Sequence, residues 1–259
     1  MTVLIIVVAV LASVLVEIFR YRSMKKEDPK TTLGSVLSNG AEQLLIIFLS
    51  AIVALYIANS SEEKKMKDQI IKVLDVVQSE MEGKLSSYKK AVSGEYYVNL
   101  NNKDMDPELY DKLFAENVAL CFISECEEPR GINLRNFLYS ESVLIRIDPQ
   151  TASKIASCED NLLAFINEFL GIKENKEYVP QKVRADMSEI VHYTSSIIEH
   201  IEYAKMQLQG ITNIDSNREY LDFADALSKD RNQLTIGLER FSEEDLAIGM
   251  TNYDDSLIK

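Results

Sequence analysis

Two apolar runs near the N-terminus constrain this chain more than any other feature. Val3–Phe19 is interrupted only by Ser13 and Glu17, and Leu44–Ala58 only by Ser50 and Tyr56. A helix crosses a hydrocarbon core with roughly 17–25 residues of this kind. The first run meets the lower end of that range. The second reaches it if the helix begins near Ala41, which leaves Glu42 and Gln43 at the interface. A cleaved leader is the obvious competitor for the first run. No basic residue precedes Val3, however, and Glu17-Ile18-Phe19-Arg20 lacks the small residues of a cleavage site. The expectation is a transmembrane hairpin over residues 1–60, with one span and a re-entrant second segment as the alternative.

Charge divides the chain at the same place. Residues 1–60 hold five basic and four acidic side chains, which leaves 23 basic and 37 acidic for the rest of the 259 residues. So acidic a domain repels phosphates and releases no counterions, so nucleic acid is not an expected partner. Topology is contested. The five basic residues between Arg20 and Lys30 would place the connecting segment in the cytoplasm. Lys64, Lys65, Lys67 and Lys72, with the N-terminal amine, pull the other way. The odd set Cys121, Cys126 and Cys158 suits a reducing compartment, which favours a cytoplasmic soluble domain.

Past the apolar runs the pattern is helical. Met66, Ile70, Val73, Val77, Met81, Leu85, Tyr88 and Val92 recur at spacings of three and four with one stutter near Met81, giving a juxtamembrane stalk over 61–94. A helical subdomain follows over 95–172. Asp106-Pro107 opens one of its helices, and Asp148-Pro149 opens another that Gly171 is expected to close. Ser142–Ile147 between them reads as a short strand or a buried turn. Val183, Met187, Ile190, Thr194, Ile197, Ile201, Ala204 and Leu208 then alternate strictly by four and three, and Tyr220, Ala224, Leu227, Arg231, Leu234, Leu238 and Phe241 repeat the pattern. Two heptad helices joined by a short loop predict an antiparallel coiled-coil-like hairpin over 181–241, in which Thr194 and Arg231 meet as one polar layer of the seam. Residues 242–259 are an acidic tail expected to fray. The expected fold class is therefore mainly α, with at most one short strand.

Chemistry is sparse. The chain contains no phosphate-cradling glycine motif, no nucleophile elbow and no H-E-x-x-H. Glu189–His192 matches one E-x-x-H element of a carboxylate-bridged metal bundle, but a second copy is missing and the pair faces away from the heptad stripe. The three cysteines with His192 and His200 fit no zinc spacing. The sequence thus points to no catalysis, no cofactor and no metal. The one notable pair of carboxylates is Glu17, ending the first apolar run, and Glu42, preceding the second, which a hairpin brings to the same membrane face. The expected partners are the lipid bilayer and a protein partner, or a second copy, engaged through helical seams. The function expected is that of a membrane-anchored helical interaction or sensor protein. The alternative is an oligomerising two-span effector of the pore-forming toxin or phage-defence type, triggered through the soluble domain, with Glu17 and Glu42 in an ion path.

Overall fold

The computed structural model describes residues 33–93, 106–127, 133–175 and 178–256, the side chains of 33–48, 51 and 252–256 excepted. Eight α-helices carry these residues: α1 (Leu33–Ser93), α2 (Pro107–Glu127), α3 (Leu134–Leu138), α4 (Glu141–Leu144), α5 (Pro149–Asn175), α6 (Pro180–Leu208), α7 (Arg218–Leu238) and α8 (Glu243–Ser256). A 3-10 turn, Ile214–Ser216, lies between α6 and α7. The protein is mainly helical, with no strand among the described residues. Ser142–Ile147 is not a strand: Ser142–Leu144 belong to α4 and only Ile145–Ile147 form the turn and bend that follow it, with Val143 and Ile147 buried and Ile145 exposed.

The helix starts follow from local chemistry. Asp106 accepts a hydrogen bond from the Glu108 amide at 3.3 Å, and Pro107 begins α2 where a missing N–H costs nothing. Asn133 caps α3 through the Asn136 amide at 2.9 Å, and Asp148 caps α5 through the Thr151 amide at 3.0 Å. Asn217 caps α7 through the Tyr220 amide at 3.2 Å. Gly210, at φ +80°, takes the left-handed conformation that ends α6. Gly171 does not end α5, which runs on to Asn175. A single helical glycine costs only about 1 kcal/mol relative to alanine, and Ile172 is buried beyond it.

The chain divides into two units, Met1–Met66 and Lys67–Lys259, and α1 contributes to both. In the first unit the described side chains belong to α1 from Leu49 onward. Leu49, Ile52, Val53, Tyr56 and Ile57 are between 44% and 75% exposed.

The second unit is a helical bundle with an apolar interior. From α1 it takes Ile70, Leu74, Val77, Met81, Leu85, Tyr88, Ala91 and Val92, all buried. Leu74 is fully buried where the stripe anticipated Val73, and the successive steps of four from Val77 to Met81 and from Met81 to Leu85 keep the stutter at Met81. Tyr88 stacks on Phe122 of α2 with ring centroids 4.1 Å apart. The segments expected as stalk, subdomain, hairpin and tail share this interior.

The acidic tail is a correction: residues 243–256 form α8, which packs against α2, with Leu246 and Met250 fully buried. The cause is legible after the fact. Ser242 and Asp245 supply the N-cap half of a capping box, with the Asp245 amide donating to Ser242 Oγ at 3.1 Å, and the Ser242 hydroxyl donates in turn to the Asp245 carboxylate. Gly249 lets the helices touch, since a Cβ there would lie 2.5 Å from Glu116 Cα.

Candidate functional site

α6 is the axis of the second unit, and the elements around it define the candidate site. Every residue of its predicted stripe, from Val183 to Leu208, is buried. Val191, Ser195, Ile198 and Met206, outside the stripe, are buried as well, so the helix is covered on more than one side. α5 lies along Tyr193, which stacks on Phe165 at 5.7 Å. α1 lies along Lys205, whose Nζ reaches Asp75 at 2.8 Å and Gln78 Oε1 at 3.1 Å. α7 lies along the line His192–Glu199–Met206. Arg231 Nη1 is 3.4 Å from His192 Nδ1, the Tyr220 hydroxyl donates to Glu199 at 3.3 Å, and Tyr220 shares an apolar cluster with Met206 and Ile214. At 3.6 residues per turn, that line is about 140° around α6 from Met187, Thr194 and Ile201.

The anticipated Thr194–Arg231 layer is consequently not formed. Thr194 is 1% exposed, and its hydroxyl donates to the Ile190 carbonyl of its own helix at 2.7 Å. Arg231 reaches His192 instead. The α6 stripe faces the bundle interior, not α7.

α7 is held at its ends and slack in its middle. Tyr220, Leu234 and Leu238 are buried, whereas Phe223, Ala224 and Leu227 are half-buried and Leu221 is exposed. Gly237 makes the close end possible, because a Cβ there would overlap the Val92 side chain of α1. Where α7 parts from α1, a groove of about 310 Å³ opens over Leu85, Ile198, Phe223 and Leu227. The Lys89–Asp230 ion pair, 2.7 Å long, spans its rim. Beyond Lys89 a second hollow of about 370 Å³ continues along Val92, Leu234 and Ile236. The groove is open, with an apolar floor and a polar rim that includes Glu82, Ser86, Lys89 and Asp230.

The other residues singled out by sequence are quiet. Cys121 is half-buried, its Sγ donates to the Ser87 carbonyl at 3.5 Å, and burial with the nearby Glu125 pushes its pKa up to about 11. Burial and Glu199 also push Cys158 up. Such thiols stay protonated and are poor nucleophiles. Among the described residues no group of His, Cys, Asp and Glu is arranged to hold a metal ion. His192 is exposed, and burial lowers the pKa of His200. Glu17 and the first apolar run lie outside the described residues, as do the side chains of Glu42 and of the start of the second run. Among those described, no helix is long and apolar enough to cross a membrane. The chain matches no protein-family model, no curated protein and no solved structure.

Proposed function

We propose that the chain is a membrane-anchored helical interaction protein, held by its N-terminal apolar runs and presenting the Lys67–Lys259 unit to a protein partner or a second copy. The observation that carries this reading is the group Leu49, Ile52, Val53, Tyr56 and Ile57, all exposed on α1. Exposed apolar surface of this density is stable only against lipid or another apolar face. The groove between α1 and α7 supplies the second unit with an apolar recess for a partner. That Cys121, Cys126 and Cys158 form no disulfide accords with a cytoplasmic position for that unit.

Membrane fractionation followed by alkaline carbonate extraction tests the anchor. The wild type is expected to stay with the membrane, and Ile52→Asp/Val53→Asp to release a large fraction, since each central acid costs about 2.5–3.5 kcal/mol on insertion. Recovery of the wild type in the soluble fraction overturns the reading. Depolarisation of cells by the wild type that disappears in Glu17→Gln/Glu42→Gln would replace the anchor with a pore.

A further inference from the structure

We propose that Asp186 makes the contact between α5 and α6 a proton-operated clamp, tightened when its carboxyl takes up a proton and loosened when it gives one up. Asp186 lies in the second turn of α6, on the same side as Tyr193, and is 4% exposed. Its Oδ2 is buried and has no hydrogen-bond partner. A carboxylate oxygen in that position is costly, because no protein donor offsets the hydration its charge gives up on burial.

The surrounding charges deepen the cost. Glu168 of α5 and Glu189 of α6 repel a negative charge at Asp186, and only Lys182 of α6 favours it. Lys182 is shared, since its Nζ is 2.7 Å from Glu168 in an ion pair that joins the two helices. Burial first and Glu168 second raise the Asp186 pKa from 3.8 to about 6. Protonation removes the repulsion and leaves the Lys182–Glu168 pair undisturbed.

The sign follows from linkage. A carboxyl whose pKa is higher folded than unfolded binds protons preferentially in the native state, so its ionisation weakens the fold as pH rises from about 4 to about 6. The penalty is complete above that window and absent below it. A difference between variants isolates this one carboxyl from the other ionisable groups.

Unfolding of the full chain by urea in detergent micelles, at pH 5 and pH 7, provides the test with wild type and Asp186→Asn. The expected result is that the folded-to-unfolded ratio of the variant relative to wild type rises about tenfold between the two pH values. A ratio independent of pH overturns the proposal. Should the variant fail to fold, carbon-13 NMR of the Asp186 carboxyl in the wild-type chain decides. A midpoint near 6 supports the clamp, and one near 4 overturns it. Hydrogen exchange, corrected for its intrinsic pH dependence, separates a clamp from a merely local titration. Extra protection at pH 5 in residues 180–190 and 165–172 is expected, and equal protection at both pH values counts against it.

Discussion

Lys205 is a charged side chain placed where three acceptors meet. Its Nζ lies 2.8 Å from Asp75, 3.1 Å from Glu202 and 3.1 Å from Gln78 Oε1, and the side chain is 16% exposed. Gln78 in turn donates to Glu82 at 2.8 Å, so the network runs up α1 for two turns. Burial alone would lower the Lys205 pKa, but the hydrogen bonds it donates to Asp75 and Glu202 outweigh it and the net shift is upward. Lys205→Met keeps the stem and removes the charge. It is expected to cost about 1.5–3 kcal/mol, the range for a hydrogen bond to a charged group, read as a lower urea midpoint with an unchanged slope. A loss below half a kcal/mol would show that solvent had already screened the network. Gly249 is the complementary case, in which the absence of a side chain matters. Gly249→Ala places a methyl against the Glu116 backbone and is expected to cost about 1–3 kcal/mol as overpacking. Neither effect is visible in sequence, because the partners of Lys205 on α1 and the neighbours of Gly249 on α2 are each more than 100 residues away.

At the scale of elements, periodicity identified helices well and their partners poorly. The strict alternation from Val183 to Leu208 marks a buried stripe, and the stripe is buried. What it cannot state is which helix covers it. Two consecutive heptad helices invite pairing on their stripes, but α6 has α1 and α5 as further neighbours, and α7 is left on a flank. The N-cap pairing of Ser242 with Asp245 and the apolar spacing of Leu246 and Met250 were present to be read; net acidity obscured them. The candidate groove was not legible at all, since it arises where Leu227 fails to reach the depth that its heptad position implies. Two substitutions separate these situations. Ile197→Asp buries an unpaired charge in the interior and is expected to cost several kcal/mol. Leu227→Ala, at the slack middle of α7, is expected to cost under about 1.5 kcal/mol, because a half-exposed side chain forfeits less burial and leaves no closed cavity. Equal losses in thermal unfolding would show that α7 packs as tightly as the heptad alone implies.

At the scale of the whole molecule, the division at Met66 and Lys67 makes a prediction about folding. α1 is a single 61-residue helix, and among its described side chains, which start at Leu49, the first buried one is Ile70. Everything the interior of the second unit requires from α1 lies between Ile70 and Val92, and its polar clasps, Asp75–Lys205 and Lys89–Asp230, fall within the same stretch. A fragment comprising residues 61–259 therefore retains every buried side chain of the second unit while losing both apolar runs and the exposed patch around Leu49–Ile57. It carries a strong negative charge, which opposes association. The expected outcome is a soluble, cooperatively unfolding protein with helical circular dichroism and dispersed amide resonances. Starting the fragment at residue 79 instead removes Ile70, Leu74 and Val77 together with Asp75 and Gln78. That loss of three core side chains and the Lys205 network exceeds the typical stability of about 5–15 kcal/mol once cavity costs are included, so the shorter fragment is expected to be unfolded. If both fragments fold equally well, the first part of α1 is dispensable to the interior. If neither folds, the second unit depends on residues before 61, and the division of the chain into an anchor and an independent helical unit fails.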